Sequence, residues 1–237
     1  RLTADRARAL AQGTAPDDLA SKIMSTPDPL TGACFDTEEM VDQVAIFFLA
    51  GHETSASALA WALYLLATHP EWQDRLAAEA QAELGAEPDF AALGRLRVAR
   101  AVFREAMRLY PPVPMMVREA RCPVTMRARA VPKGAQIVLS PWHLHRHERL
   151  WENPDAFDPN RWAGEVPQGG YLPFSRGPRV CPGAGFAMLE GTLMLAHLVR
   201  AFRFEAMPDR VPVPVAHLTV RAKDGIWVRV VRRGGEI

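Results

Sequence analysis

The chain has almost no net charge. Its 28 Lys and Arg against 27 Asp and Glu leave +1 over 237 residues. No excess of either sign argues for nucleic acid or a membrane surface as a partner. Cysteine is scarce: Cys34, Cys122 and Cys181 are the only three. An odd and small number excludes a disulfide framework and makes a reducing compartment the expectation. No run of about 18 apolar residues occurs, so no segment reads as spanning a bilayer. No secretory-signal pattern opens the sequence, and no repeat of solenoid period appears. What is present is ordinary for a globular protein, 49% hydrophobic and 23% charged, which excludes wholesale disorder. The length suits one large domain or two small ones. The first residue is Arg1, already inside a helical pattern, so the expectation is part of a longer protein.

The first half reads as helix. Leu2 to Ala11 is Ala- and Arg-rich and stops at Gly13; Pro16 to Met24 fits a second, short helix with Asp17 and Asp18 in its first turn. Asp36 and Glu39 have capping-box spacing ahead of a Pro-free run, Thr37 to Thr68. Its centre, Val44 to Ala50, is apolar all round, which predicts burial. Helices are expected at Glu71 to Leu84 and Val98 to Leu109, the latter stopped by Pro111-Pro112. The second half differs. Val113 to Val117, Val124 to Met126 and Gln136 to Leu139 are strand-like, and Pro132-Lys133-Gly134 is a turn. Residues 148–178 are Pro- and Gly-rich with little period, and a long irregular stretch in a compact domain is usually functional. Gly183 to Phe202 returns to helix. A strand-like tail follows from Val211, with Lys223-Asp224-Gly225 as a hairpin turn.

Three constellations carry chemistry. Cys181 sits in Phe174-Ser175-Arg176-Gly177-Pro178-Arg179-Val180-Cys181-Pro182-Gly183, directly before a helix. Backbone N–H groups at a helix start stabilise a thiolate. Glycines admit a flat partner close to the backbone, and Arg179 suits a carboxylate. Ala50-Gly51-His52-Glu53-Thr54 places an acid and a hydroxyl inside an apolar helix, which is costly unless they are used or satisfied. Taken alone, Thr54 reads equally as a hydroxyl bonded back to its own helix. Glu105-Ala106-Met107-Arg108 puts opposite charges on one helix face, which alone is an ordinary surface pair.

Taken together and in this order, these segments resemble the cytochrome P450 family. Phe174-x-x-Gly177-x-Arg179-x-Cys181-x-Gly183 is similar to its haem-thiolate loop, and Ala50 to Thr54 to its oxygen-activation motif. Glu105 to Arg108, followed by Leu109-Tyr110-Pro111-Pro112, resembles its ExxR helix. Phe157-Asp158-Pro159-Asn160-Arg161-Trp162 resembles its PERF-type segment, with Asn160 and Trp162 where the family often has Glu and Phe. The resemblance implies a mainly α fold with small β-sheets, the C-terminal portion only of the P450 fold. It implies that residues 1–237 form part of a single domain: 1–110 helical with the long helix at about 37–68, 111–178 β hairpins and meander, 179–237 haem-Cys loop, helix and terminal β. Helices A to F, most of G and the specificity loops are missing from it, so much of the long helix lacks its usual cover. The N-terminal half of the same protein, or a swapped copy of the chain, is the expected partner.

The resemblance further implies haem b (iron protoporphyrin IX), with Cys181 as the iron ligand. Phe174, Gly177 and Gly183 shape the loop, and Arg118, Arg179 and His145 hold the haem edge. Glu53 and Thr54 relay protons, and Glu105, Arg108 and Arg161 form a structural triad. The implied reaction is insertion of one oxygen atom of O2 into a small hydrophobic organic substrate. Electrons come from NAD(P)H through a ferredoxin/reductase-type redox partner docking on the Cys181 face near Arg176. A peroxygenase, a truncated non-catalytic haem-binding remnant, and a helical scaffold holding zinc at His143, His145 and His147 are the alternatives. The expected location is the bacterial cytoplasm, unless a membrane anchor precedes these residues.

Overall fold

The computed structural model describes residues 1–85 and 90–234. The chain divides into two compact units, Arg1–Glu53 and Thr54–Ile237, and the long helix α3 (Thr37–Thr68) contributes to both.

In the first unit, α1 (Leu2–Ala11) is followed by α2 (Leu19–Ser25). The second helix starts three residues later than its composition suggested, because Asp18 is its cap rather than part of its first turn. Its carboxylate accepts from the Ser21 N–H at 2.9 Å and from Arg6 at 2.6 Å. Those bonds, the Ser21 N–H first, hold its pKa below the ordinary aspartate value. Asp36 and Glu39 form a reciprocal capping box at the start of α3: the Glu39 N–H donates to Asp36 at 2.8 Å and the Asp36 N–H to Glu39 at 2.9 Å. The expectation of burial along the centre of α3 is corrected. Ile46, Phe48 and Leu49 are 56%, 71% and 67% exposed, and after Met40 the helix is next buried only at Ser57 and Ala58. Apolar composition predicts a buried helix only where something packs on it, and the missing cover was itself expected.

The second unit is built on α4 (Pro70–Glu83), α6 (Arg97–Leu109) and α8 (Ala184–Ala201). Leu76, Ala80, Leu96, Val102, Phe103, Leu195 and Val199 form its core with Leu66 of α3. Short helices α5 (Ala92–Arg95) and α7 (Pro141–Leu144) are additions to the expected set. Gln73 is buried in α4 and acts as a rivet: it donates to the Leu66 and Phe204 carbonyls, both at 2.9 Å, and accepts from the Phe204 N–H at 2.7 Å.

The strands pair into two-stranded antiparallel ribbons. β1 (Met116–Glu119) pairs with β4 (Gln136–Leu139), with Arg118 opposite Ile137. β2 (Val124–Met126) pairs with β3 (Arg129–Val131) across Arg127 and Ala128, both with positive φ. This hairpin is hard to foresee, since residues there are usually Asn or Gly. β5 (Phe202–Ala206) pairs with β8 (Val228–Arg232), and β6 (Pro214–Ala216) with β7 (Val220–Ala222). Lys223 to Gly225 therefore turns the chain from one ribbon to another, rather than closing a hairpin.

α6 and α8 approach closely at Gly191. A Cβ built there would lie 2.2 Å from the Phe103 ring, so the ring occupies the space that glycine leaves. Gly191→Ala is expected to lower unfolding stability by about 1–3 kcal/mol through overpacking. The check is a lower urea midpoint at unchanged slope, partly restored when Phe103→Leu is added.

Candidate haem-thiolate site and its support

Cys181 lies in the second unit between a 3-10 turn, Gly177–Arg179, and the start of α8 at Ala184. Two backbone bonds fold the loop back on itself: the Cys181 N–H donates to Phe174 O at 2.8 Å and the Val180 N–H to Gly177 O at 3.0 Å. Gly177 and Ser175 both have positive φ, +76° and +64°, which glycine adopts freely and serine does not. The thiol is exposed. Val180 and Phe186 flank it in sequence and are exposed apolar residues.

Arg118 reaches this loop from β1. It donates to Ser175 Oγ at 2.8 Å and to Val117 O at 2.9 Å. Arg179 is exposed and makes no hydrogen bond or ion pair with the described residues.

Behind the loop, Glu105, Arg108 and Arg161 meet. Glu105 and Arg108 are both 0% exposed. Arg108 grips the carboxylate with two bonds of 2.9 Å, and Arg161 and the Asp158 N–H each add one of 3.0 Å. Arg108 also donates to the carbonyls of His145, Pro154 and Ala156, and Arg161 to those of Glu152 and Asn153. The pairing on α6 is thus a buried network, not a surface pair. Removing one partner of such a pair leaves an uncompensated charge, which costs about 3–5 kcal/mol.

His145, expected at the haem edge, is 0% exposed. Its Nε2 instead accepts from the Leu172 N–H at 2.8 Å, while its ring lies 5.2 Å from that of Tyr171. Tyr171 donates to Arg104 O at 3.1 Å, and burial raises its phenol pKa. Burial pushes the His145 pKa down to about 4, against hydrogen bonds to the Arg108 and Met107 backbone that raise it. Sequence alone missed this latch, since a histidine in a polar stretch carries no sign of where its ring goes. His143 bonds Ser140 within its own turn. No cluster of three or more His, Cys, Asp or Glu able to hold a metal occurs among the described residues, so the zinc scaffold gains no support.

Glu53 and Thr54 lie adjacent on α3, both half-buried. A Cβ added at Gly51 meets nothing within 4 Å, so that flank is open. Just beyond, α3 is pinned: Ser57 Oγ and Trp61 Nε1 both donate to Val220 O, at 2.5 and 3.2 Å.

The residues fit an iron porphyrin. Cys181 is a single soft donor suited to haem iron. Added Cβ atoms at Gly177 and Gly185 would meet nothing, so the backbone there is open to a flat group. Apolar neighbours and two arginines with unused N–H groups match a ring that carries carboxylates at one edge.

Comparison with known proteins agrees. The family model described as Cytochrome P450 matches residues 2–228. Cytochrome P450 4A11 of Homo sapiens is 40% identical over 208 residues, covering 85% of this chain and 40% of that protein. Cyclooctatin synthase of Streptomyces melanosporofaciens is 39% identical over 210 residues, covering 86% and 46%. Among solved structures, the cytochrome P450DA heme domain superposes with a TM-score of 0.89 at 31% identity, over 98% of this chain and 53% of that one. The chain belongs to the cytochrome P450 family. It spans less than half the length of these curated relatives.

The His145 latch has a pH signature. The Leu172 bond requires the neutral ring, and an unfolded histidine titrates near 6.5 against about 4 when folded. The unfolded chain therefore binds the extra proton between those values, so stability is full above 6.5 and falls as pH drops toward 4. Unfolding in that window should take up to about one more proton in the wild type than in His145→Gln. Parallel stability–pH curves for the two would refute this.

Proposed function

We propose that this chain is the C-terminal part of a single P450 domain and works as a haem-thiolate monooxygenase, inserting one atom of O2 into a small hydrophobic organic substrate. The observation that carries the reading is the Cys181 loop, closed by the Phe174–Cys181 bond and gripped by Arg118 through Ser175. Cys181 would ligate the iron of haem b, Phe174, Gly177 and Gly183 would shape its seat, and Arg118 with Arg179 would hold the propionates. Haem bound through a thiolate supplies the electron push that favours O–O cleavage. The protein's part is to seat the ring, keep the thiolate in place and deliver protons. Thr54 with Glu53, beside the open flank at Gly51, is the candidate proton relay, a general-acid role.

The second oxygen atom leaves as water, which consumes electrons from NAD(P)H through a ferredoxin/reductase-type partner. The outer face of α6 supports such docking. A groove of about 480 Å³ there is lined by Arg75, Arg97, Arg100 and Arg104 with Trp72 and Trp162, and by no carboxylate among the described residues. This face, rather than the surroundings of Arg176 alone, suits an acidic electron donor. The remaining half of the fold, in the same protein or from a swapped copy, is the proposed cover for Ile46, Phe48 and Leu49. No helix among the described residues is long and apolar enough to cross a membrane. A bacterial, cytoplasmic location is proposed on the Ala/Arg-rich composition and the Streptomyces relative.

Cys181→Ala is expected to abolish the red-shifted ferrous–CO band for which the family is named; an unchanged band refutes the ligand assignment. Thr54→Ala is expected to raise peroxide release per product formed, and unaltered coupling argues against the relay.

A further inference from the structure

Arg75 of α4 and Arg97, Arg100 and Arg104 of α6 line one groove of about 480 Å³, with Trp72 and Trp162 in its wall. None of these arginines makes an ion pair with a described residue. Acids on the same two helices serve other partners. Asp74 holds Arg203 and Arg233, Glu83 holds Arg95, and Glu79 accepts from the Val98 and Ala99 N–H groups at the start of α6. Helix α6 is also built against its own dipole here. Arg97 and Arg100 fall in its first turn, which holds no acid, and cations are disfavoured at a helix N-terminus. Like charges spaced i,i+3 and i,i+4 along 97, 100 and 104 repel as well. Two of the guanidiniums are held ready: that of Arg75 lies 4.0 Å over the Trp72 ring and that of Arg104 4.0 Å over the Trp162 ring. Such stacking engages the flat face of a guanidinium rather than its N–H edge.

We infer that this groove is a binding site for a compact phosphate ligand of several negative charges, an oligophosphate or a small organic phosphate. The planar fork of arginine meets two phosphate oxygens at once, and the groove is lined by arginine without lysine. Its volume lies in the range of small-molecule sites, which suits a ligand that enters rather than a flat contact. A multiply charged anion there relieves both the repulsion among the arginines and the unfavourable start of α6. The inference does not depend on haem. It adds a small occupant to the face proposed above for an acidic electron donor, whose carboxylates compete for the same N–H groups.

The test is calorimetric titration of the full chain with inorganic tripolyphosphate. Saturable binding that weakens with added salt is expected. Arg97→Ala and Arg100→Ala should each weaken it about tenfold, as for a lost hydrogen bond to a charged group. Both residues are exposed and unpaired, so their urea midpoints should hold or rise, which separates lost binding from lost folding. Arg129→Ala, which removes an exposed cation on β3, should leave the affinity unchanged. The absence of saturable binding overturns the inference. An equal loss in Arg129→Ala also overturns it, because only diffuse charge would then be acting. Two further probes separate the other occupants. If a polyglutamate peptide binds through Arg97 and Arg100 and tripolyphosphate does not, the inference falls and the docking reading stands. If neither binds, both fall. If only vesicles of phosphatidylcholine with phosphatidic acid bind, the arginines meet a lipid surface, and the inference falls.

Discussion

A carboxylate buried where no water reaches it must be surrounded by donors, and Glu105 receives four hydrogen bonds from Arg108, Arg161 and the Asp158 N–H. That requirement organises the second unit. Residues between α7 and α8 have no helix or sheet ladder to occupy their carbonyls beyond brief 3-10 turns, yet buried carbonyls need partners. The two guanidiniums supply them. Having met on Glu105, they spread their remaining N–H groups over the carbonyls of His145, Glu152, Asn153, Pro154 and Ala156. Neither cation could be buried without the anion, and the anion could not be buried without both. Such a network contributes shape more surely than net stability: it gives an irregular stretch one conformation.

The fixed meander in turn fixes the Cys181 loop. Leu172 is tied through its N–H to His145, Tyr171 through its hydroxyl to the Arg104 carbonyl, and both anchors lead back to α6. Three residues after Tyr171 comes Phe174, whose carbonyl takes the Cys181 N–H. Arg118 closes the loop from the other side. Hydrogen bonds joined by short stretches of chain thus link the buried carboxylate to the Cys181 backbone. His145 is the titratable link, because its accepting nitrogen must stay unprotonated.

Much of this was legible from sequence, for identifiable reasons. Helix α3 was bounded at Thr37 and Thr68 because a capping box opens it and Pro70 closes it. The triad was legible only through the resemblance of Glu105 to Arg108 and of Phe157 to Trp162 to two P450 segments, since Glu and Arg at i,i+3 alone read as an ordinary surface pair. The Cys181 loop was legible from the spacing of its glycines and arginine. Three things were hidden. The β2–β3 hairpin uses Arg127 and Ala128 at positive φ, residues that give no turn signal. The depth of His145 depends on where Leu172 comes to lie, and no periodicity links them. Ser175 reads as a loop polar residue until its φ and its bond to Arg118 are known.

The distribution of burial separates two tasks within one helix. From Ser57 onward α3 packs into the second unit and is clamped to Val220, whereas Ile46, Phe48 and Leu49 stand in solvent. Fully burying side chains of that size is worth about 1.5–3 kcal/mol each, so covering them would rival the net stability of a typical domain. The core of α4, α6 and α8 and the Glu105 network involve none of these exposed residues. The hydrogen bonds that hold the Cys181 loop therefore all lie within the second unit. The apolar wall on the first half of α3 acquires its energetic value only when another surface packs on it, and none of those hydrogen bonds depends on it.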